Sequence, residues 1–252
     1  MDLNGKKIFV AGASSGIGQA TAIMISKLGG KVVLNGRSEE KLNATRSMMA
    51  GDGHFVMPYD LLQFDGMKQY IKNCVETDGV LFDGLVFSAG ASTGSAIRVE
   101  KLESFKYMME LNFLSYAALL KEFSSKRVLN NGGSIVAISS SITVHYDKTC
   151  GAYACSKSAV EAISNVASQE FVRRKVRVNS VCPEITRTPM TRYYFENVSQ
   201  ERSNAYYPLG VLAPEDVANT IVFLLSDMSS KITGQKIYLS AGNDGRPIDY
   251  KF

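Results

Sequence analysis

Near its amino terminus the chain contains the stretch Lys7-Ile8-Phe9-Val10-Ala11-Gly12-Ala13-Ser14-Ser15-Gly16-Ile17-Gly18. Its first five residues form a short apolar run that is typical of a buried strand, and Gly12 ends that run at once. A helical pattern of apolar residues follows and stops at Gly29-Gly30, a signal for the end of a helix. The stretch therefore predicts a strand, a tight glycine loop and a helix, the opening unit of a parallel α/β sheet.

The glycine loop lies where a dinucleotide-binding fold needs one. One glycine permits the tight turn, another lets a pyrophosphate approach the backbone, and the next helix offers free N–H groups to the anion. The spacing is Gly-x-x-x-Gly-x-Gly, and such a loop also occurs as a plain turn, so its place between a strand and a helix carries the prediction. The loop residues predicted to bind a dinucleotide are Gly12, Ser14, Ser15, Gly16, Ile17 and Gly18.

The same alternation of strand and helix continues along the chain. Apolar runs predict strands at 7–11, 31–35, 54–57, 84–87, 134–139, 176–181 and 236–239, with helices that include 64–77, 102–128, 152–173 and 214–227. Near-continuous apolar strands suit a sheet that is buried on both faces. The pattern predicts an α/β protein with a Rossmann-type doubly wound fold, whose seven-stranded parallel sheet is flanked by helices on both faces. One domain is expected over residues 1–252.

One stretch interrupts this rhythm. Residues 186–209 are predicted to be an irregular segment that forms a lid over the substrate, and they carry many aromatic rings. These rings are Tyr193, Tyr194, Phe195, Tyr206 and Tyr207. They could stack on a sugar or line an apolar channel, and the sequence does not decide between the two.

Composition limits the classes of function. The chain is 45% hydrophobic and 21% charged, as in an ordinary soluble globular protein, and its net charge of +4 is dispersed. No nucleic-acid partner and no membrane span are indicated. Four scattered cysteines and two histidines indicate no metal site and no disulfide framework. Because the amino terminus also leads directly into a strand, without room for a signal peptide, a cytoplasmic location is expected.

A second motif predicts the chemistry. Tyr153 and Lys157 are four residues apart, so on a helix they share one face. A phenol titrates near pH ~10, and a neighbouring ammonium is expected to lower the Tyr153 pKa towards a working value. Ser140 follows a predicted strand and can hydrogen-bond the oxygen that Tyr153 would protonate. The pair alone could also be an exposed helical pair, but it follows the glycine loop in the same chain.

The end of the second strand predicts the choice of cofactor. An acidic side chain there would bind the ribose 2′-hydroxyl of NAD, whereas an arginine would pair with the 2′-phosphate of NADP. The chain has Gly36-Arg37-Ser38 at this point and no carboxylate before Glu39. NADP is therefore predicted, with Arg37 as the phosphate clamp and Ser38 assisting. The alternative is a surface arginine without a ligand.

Taken in order, these motifs resemble the short-chain dehydrogenase/reductase family over essentially the whole chain. The matching residues are Gly12, Gly16, Gly18, Asp60, Ala89-Gly90, Asn112, Ser140, Tyr153, Lys157, Asn179-Ser180-Val181-Cys182-Pro183 and Thr188-Pro189-Met190. The resemblance implies hydride transfer between NADP and a small-molecule carbonyl or alcohol, with the nicotinamide supplying the hydride.

The resemblance also implies a role for each catalytic residue. Tyr153 would be the general acid in reduction and the base in oxidation, and Ser140 would polarise the carbonyl. Lys157 would lower the Tyr153 pKa and hold the nicotinamide ribose. Asn112 would anchor a water that relays protons. Further contacts to the cofactor are implied for Asp60, Ala89, Gly90, Pro183, Ile185 and Thr188.

Three positions depart from the family pattern. Ala11 and Phe87 stand where the family has polar residues that bridge the first and fourth strands, so both partners of one hydrogen bond are missing together. Such a joint loss is tolerated much better than the loss of one partner. Glu184 stands where the family commonly has glycine. Its carboxylate could bind a substrate hydroxyl or ammonium group, or it could point to solvent.

The resemblance is nearest to the 3-oxoacyl-carrier-protein reductases, through Pro208-Leu209-Gly210, but Val211 replaces their usual arginine. Arg173 and Arg174 could meet an acidic carrier protein or simply form a solvated helix end. Sugar and polyol dehydrogenases are the alternative enzymes, and a catalytically silent NADP-binding sensor or scaffold is the alternative without turnover.

The resemblance also implies a homotetramer, in which the helices at 102–128 and 152–173 pair with their copies across a two-fold axis. The apolar residues expected on their outer faces are Phe113, Tyr116, Ala117, Leu120, Ala159, Ile163 and Val166.

Overall fold

A computed structural model describes residues 1–243. Within this range seven strands form one sheet in the order β3-β2-β1-β4-β5-β6-β7, and every neighbouring pair is parallel. The strands are β1 Lys7–Ala11, β2 Lys31–Gly36, β3 Phe55–Pro58, β4 Phe82–Phe87, β5 Leu129–Ile138, β6 Arg177–Pro183 and β7 Lys236–Leu239. The predicted seven-stranded parallel sheet is confirmed.

Helices cover both faces of this sheet. They are α1 Gly16–Lys27, α2 Glu39–Ser47, α3 Met67–Glu76, α4 Leu102–Met108, α5 Ser115–Phe123, α6 Gly151–Phe171, α7 Arg192–Asn197, α8 Gln200–Tyr206 and α9 Pro214–Leu225. Alternate side chains of β1 enter different cores, because successive residues of a strand point to opposite faces. Phe9 packs with Phe123 of α5, whereas Val10 packs with Ile25 of α1 and Ile221 of α9. The doubly wound arrangement is confirmed by these two cores.

The predicted helix at 102–128 is wrong in its middle and at its end. A π-helical turn, Met109–Leu114, separates α4 from α5, and α5 stops at Phe123. The fifth strand then begins at Leu129 rather than at residue 134. A π turn inserts residues into the helical repeat and so changes which side chains face the sheet, an effect that apolar periodicity does not reveal. The buried side chain of Asn112 lies within this turn.

Residues 186–209 are not irregular throughout, which corrects the prediction for the lid. The segment contains α7 and α8, preceded by a short 3-10 turn at Pro189–Thr191. Ser199 begins α8, since its Oγ accepts a hydrogen bond from the Arg202 backbone N–H at 3.2 Å. Such a serine cap followed by Gln200 and Glu201 is a sequence signal for a helix start.

The two departures on the first and fourth strands pack against each other. Ala11 and Phe87 are paired in register across β1 and β4, and both are fully buried. The Phe87 ring lies 4.9 Å from the Tyr116 ring of α5. Apolar packing therefore fills the place of the missing hydrogen bond, which explains why the fold tolerates both changes together.

Two of the residues expected on the outer faces of the paired helices lie inside the protomer. Tyr116 and Leu120 belong to the core between α5 and the sheet, and Tyr116 Oη is 3.0 Å from Ser164 Oγ of α6. Leu114 and Val166 are exposed apolar side chains in the middle of these two segments, at 42% and 56%. The π turn rotates the helix face and moves the exposed position to Leu114.

Within residues 1–243, no helix is both long and apolar enough to span a bilayer. The prediction of one domain over 1–252 includes residues 244–252, which lie outside the described residues.

Candidate active site

A cleft of about 810 Å³ opens at the carboxyl edge of the sheet. It lies where the strand order reverses between β1 and β4, the usual ligand position in an open α/β sheet. Most of the predicted site residues line it, namely Gly12, Ser14, Ser15, Gly16, Ile17, Arg37, Asp60, Ala89, Gly90, Ser140, Tyr153, Lys157, Pro183, Ile185 and Thr188. Residues that are far apart in sequence thus meet in one cleft. Gly18, Ser38 and Asn112 do not line it.

The glycine loop allows unusually close backbone approaches. Gly12 has φ +81°, and a Cβ at this position would lie 2.8 Å from the backbone nitrogen of Ala89. A Cβ on Gly18 would lie 2.2 Å from the carbonyl oxygen of Gly12. Gly12 therefore lets the loops after β1 and β4 meet, and Gly18 lets α1 pack on its own loop. This packing explains why Gly18 is needed although it lies behind the cleft.

Arg37 lies at one end of the cleft, directly after β2, with an exposed side chain. Within the described residues its guanidinium makes no hydrogen bond or ion pair. Ser38 caps the amino terminus of α2, because its Oγ accepts a 3.4 Å hydrogen bond from the Lys41 backbone N–H. Asp60 Oδ1 accepts one from the Leu62 backbone N–H at 3.0 Å. Arg37 therefore offers an unpaired cationic group at this end of the cleft within the described part of the chain.

The cleft residues fit a nicotinamide dinucleotide. Two of them, Asn35 and Thr93, carry buried side-chain oxygens that have no hydrogen-bond partner in the described part of the chain. A Cβ on Gly16 would lie 3.2 Å from Thr188 Cγ2, so the first turn of α1 and the start of the lid segment leave little room between them. Uncommitted polar atoms, the glycine backbone and the helix amino terminus together provide what a pyrophosphate and its sugars require.

Ser140, Tyr153 and Lys157 meet at the other end of the cleft. Ser140 lies two residues after the end of β5 and caps a short 3-10 turn, where its Oγ accepts a hydrogen bond from the Ile142 backbone N–H at 3.2 Å. Lys157 Nζ donates to the Ile138 carbonyl oxygen at 2.8 Å and lies 5.8 Å from the centroid of the Tyr153 ring. A strand end thus places the hydroxyl, and one face of α6 places the phenol and the ammonium.

The expected lowering of the Tyr153 pKa is not found. Burial raises the pKa of Tyr153 to about 12, although a hydrogen bond with the Ser140 side chain opposes the rise. Burial also lowers the pKa of Lys157 to about 8. Desolvation dominates because both groups are removed from water, and it disfavours the charged form of each. Tyr153 is therefore a protonated phenol at neutral pH, the form required to donate a proton.

The Asn112 side chain lies behind Gly90 and is fully committed to the protein. Its Oδ1 accepts a hydrogen bond from the Ala91 backbone N–H at 2.9 Å, and its Nδ2 donates to Ala91 O and Ser156 Oγ, each at 2.9 Å. A Cβ on Gly90 would lie 3.0 Å from Asn112 Oδ1 and 3.5 Å from Lys157 Nζ. The π turn thus holds the loop after β4 against the helix that carries Lys157.

A buried carboxylate that lies next to Ser140 and Lys157, that of Glu161, was not predicted from the sequence. Glu161 Oε1 accepts hydrogen bonds from Ser139 Oγ and Thr143 Oγ1, both at 2.7 Å, and Oε2 pairs with Lys236 Nζ at 2.7 Å. Burial alone would raise the Glu161 pKa, but these hydrogen bonds outweigh it and hold the pKa below its ordinary value. Glu161 therefore ties the segment around Ser140 to α6. In the sequence it is visible only as an acidic residue one helical turn after Lys157, on the face that carries Tyr153.

Glu184 does not point to solvent, so one of the two alternatives for it is excluded. Its side chain is only 9% exposed and lines the cleft, where Oε1 lies 3.1 Å from His145 Nδ1. His145 and Cys150 also line the cleft. His145 and Glu184 are 39 positions apart in the sequence, so no local pattern predicts their pairing.

The aromatic rings of the lid segment divide into two groups. Tyr194 and Tyr207 are buried in a small apolar cluster with Ile185 and Val211, so most of their surface stabilises the lid itself. Tyr193 is 60% exposed and lines the cleft, as does part of Tyr194. Only a minority of the five rings is therefore available to a substrate.

A stability measurement can test the burial of Lys157. The lowering of its pKa from 10.5 to about 8 corresponds to roughly 3 kcal/mol against the charged form. The substitution to methionine also removes the hydrogen bond to the Ile138 carbonyl oxygen, and this loss lowers stability by about 1 kcal/mol. We therefore expect Lys157→Met to raise the free energy of unfolding by about 1–2 kcal/mol at pH 7 in urea titrations.

The sign of the pH dependence follows from proton binding. Between pH 8 and 10.5 the unfolded chain binds more protons at Lys157 than the folded chain, so wild-type stability rises with pH there. The advantage of Lys157→Met should consequently shrink by pH 10. The exposed Lys126→Met is the control. A variant less stable than wild type at pH 7, or a difference that does not change with pH, would contradict this account.

A parallel sheet with a glycine loop at its first crossover, and a Ser–Tyr–Lys set in the same cleft, defines the class as a dinucleotide-dependent oxidoreductase. A family model described as enoyl-(acyl carrier protein) reductase matches residues 12–244. The chain belongs to the short-chain dehydrogenase/reductase family. Members of this family are oxidoreductases that act on CH–OH and C=O groups with a nicotinamide cofactor.

Individual relatives cover nearly the full chain. The 3-oxoacyl-(acyl-carrier-protein) reductase of Rickettsia felis is 33% identical over 244 residues, which is 96% of this chain and 98% of the relative. Glucose 1-dehydrogenase of Gluconobacter oxydans is 32% identical over 245 residues, covering 94% and 91%. A short-chain type dehydrogenase/reductase from Mycobacterium ulcerans superimposes with a TM-score of 0.89 at 29% identity, covering 96% and 90%. The resemblance inferred from the motifs is confirmed.

Proposed function

We propose that the protein is an NADP(H)-dependent oxidoreductase that reduces the carbonyl group of a small molecule to a secondary alcohol, or catalyses the reverse reaction. The observation that carries this proposal is a single cleft with Arg37 and the glycine loop at one end and Ser140, Tyr153 and Lys157 at the other. Such a cleft can hold a dinucleotide along its length with the reacting groups beside its nicotinamide end.

The chain's own residues handle the proton. A bound nicotinamide dinucleotide would supply or accept the hydride. Tyr153, protonated at neutral pH because its pKa is about 12, donates its proton to the substrate oxygen. Ser140 holds that oxygen through a hydrogen bond as negative charge develops. Lys157, fixed by Ile138 O beside the Tyr153 ring, stabilises the phenolate that remains.

A scan of carbonyl compounds with NADPH, followed by the absorbance of the reduced cofactor, tests this function. Oxidation of NADPH that requires a carbonyl compound would support it. The sensor or scaffold alternative predicts tight NADPH binding without turnover of any compound. Wild type with measurable NADPH affinity and no turnover across aldehydes, ketones and thioesters would therefore refute the enzyme proposal.

The relatives named above represent two substrate classes, that of the 3-oxoacyl-carrier-protein reductase and that of the glucose 1-dehydrogenase. The structure weakens the case for a carrier protein, because the guanidinium of Arg174 is occupied. It donates to Asn131 Oδ1 at 3.1 Å, to Ser124 O at 2.6 Å and also to Leu129 O. Arg174 therefore stabilises the segment around the start of β5. Of the two arginines, Arg173 is the one left to contact a carrier protein.

Association into a homotetramer is part of the proposal. The exposed side chains of Leu114 and Val166 lie on the segments that the family resemblance assigns to the two-fold contact, and apolar residues exposed there are suited to a copy of the same surface. At micromolar concentration, light scattering should report a mass about four times the 27.5 kDa chain. Val166→Glu should lower that mass, with Val80→Glu, at an exposed valine between α3 and β4 and outside both segments, as control. A wild-type monomer would contradict this expectation.

A further inference from the structure

The pair formed by His145 and Glu184 lies beside the reacting residues and is used by no step of the proposed reaction. His145 follows the short turn that begins at Ser140, and Glu184 directly follows β6. The two segments are joined next to the pair, because Ser141 Oγ donates to the Pro183 carbonyl oxygen at 3.4 Å. A group bound by the pair would thus be attached close to the carbon that reacts.

The hydrogen-bonding capacity of the pair is only half used. Glu184 Oε1 lies 3.1 Å from His145 Nδ1, so a neutral imidazole must carry its proton on Nδ1 to donate to the carboxylate. Its Nε2 is then an acceptor. Among residues 1–243 neither this nitrogen nor Glu184 Oε2 has another hydrogen-bond partner. With a neutral imidazole, two acceptors therefore remain for a molecule in the cleft. With a protonated imidazole, a donor at Nε2 remains beside the acceptor Oε2. Hydroxyl groups, which both donate and accept, suit either state.

Charge and burial argue against an apolar ligand at this place. The Glu184 side chain is 9% exposed and His145 is 31% exposed, so the carboxylate has little contact with water. A methylene chain laid against it would remove the remaining water without offering a hydrogen bond, which is unfavourable for a buried charge. Hydroxyl groups instead donate to both acceptors. The same geometry therefore attracts a polyol and repels a fatty acyl chain.

We infer that His145 and Glu184 form a hydroxyl-binding subsite, and that the substrate is a polyhydroxylated carbonyl compound or the corresponding polyol. This inference rests on the proposed oxidoreductase function, since it names the substrate class of the same cleft. It makes the pair a specificity determinant for a hydroxyl group next to the reacting carbon.

Binding can be measured without turnover, because the chain has only two histidines. His54 lies away from the cleft, where its Nε2 is 3.0 Å from Ala50 O and its Nδ1 accepts from the Val32 backbone N–H at 3.2 Å. In imidazole NMR spectra of the protein saturated with NADPH, which cannot oxidise a polyol, sorbitol should shift the His145 signals and leave those of His54 in place. In Glu184→Gly, the sorbitol concentration that produces half of the maximal His145 shift should be at least about tenfold higher.

Kinetics provide the second readout. Dihydroxyacetone and acetone share one carbon skeleton and differ in their hydroxyl groups, and acetoacetyl-CoA represents the acyl thioesters. With NADPH, wild type should prefer dihydroxyacetone over acetone in kcat/KM by about 100-fold or more. Glu184→Gly and His145→Phe should each lower this ratio about tenfold or more. Both variants should also lower the preference for dihydroxyacetone over acetoacetyl-CoA. Glu196→Ala, which removes an exposed carboxylate of the lid outside the cleft, should leave the ratios unchanged.

The outcomes separate this inference from the proposed function. Turnover without a preference for the hydroxylated ketone, or a preference that both variants retain, would overturn the subsite and leave the oxidoreductase function intact. Absence of a His145 response to sorbitol would overturn the subsite as well. A normal His145 response without turnover of any probe would overturn the proposed function and support the subsite as a binding site. His145→Phe keeps the test decisive if Glu184→Gly does not fold.

Discussion

Replacing Tyr153 with phenylalanine is expected to lower kcat by about 10²–10⁴-fold, the contribution typical of a positioned general acid. Phenylalanine keeps the ring that packs beside Lys157 and removes only the oxygen and its proton. Because the pKa of the phenol is about 12, the Tyr153 hydroxyl is protonated in wild type at neutral pH. Phenylalanine therefore removes a proton donor that wild type carries throughout the neutral range. Affinity for NADPH should change little, because the cradle around the glycine loop is untouched.

Two measurements decide the role of Tyr153. Single-turnover rates with NADPH and the best carbonyl compound from the scan give the chemical step, and a fluorescence titration gives the affinity for NADPH. Tyr107→Phe, a similar change on α4 outside the cleft, is the control. A variant that keeps more than a tenth of the wild-type rate would show that another group donates the proton. Loss of NADPH binding would show that Tyr153 acts mainly in binding.

Replacing Arg37 with alanine is expected to raise the Kd for NADPH by about 30–150-fold and to change that for NADH little. The guanidinium is exposed at the end of β2 and has no partner among the described residues, so it is available to a 2′-phosphate. A charge-assisted, bidentate arginine–phosphate contact contributes about 2–3 kcal/mol. NADH carries a hydroxyl group in place of that phosphate and therefore makes little use of the arginine.

The comparison of two cofactors isolates the phosphate contact from any general effect on the cleft. Arg46→Ala removes the same charge from the exposed face of α2 and should affect neither cofactor. Higher ionic strength should weaken NADPH binding to wild type more than to Arg37→Ala, because exposed charges are screened by salt. Equal losses for NADPH and NADH in Arg37→Ala would refute the assignment of NADP.

The architecture was predictable because it depends on local patterns. Apolar runs with the period of a buried strand, broken by glycine loops, marked all seven strands, and the parallel order followed from their alternation with helices. The errors lie where local periodicity is uninformative. The π turn at Met109–Leu114 and the early start of β5 at Leu129 change the register of elements whose composition is unremarkable.

The sequence alone determined which chemical groups are present and which elements carry them. Tyr153 and Lys157 share a helix face at any packing of the chain, Ser140 follows the fifth strand, and Arg37 follows the second strand, because these relations depend only on spacing within one element or one turn. Tertiary structure alone decided how those groups behave. It set the Tyr153 pKa at about 12 and the Lys157 pKa at about 8, and it joined Glu184 to His145 and Glu161 to Lys236. Desolvation and ion pairing depend on which distant segments exclude water from one place, and residue spacing carries no record of that.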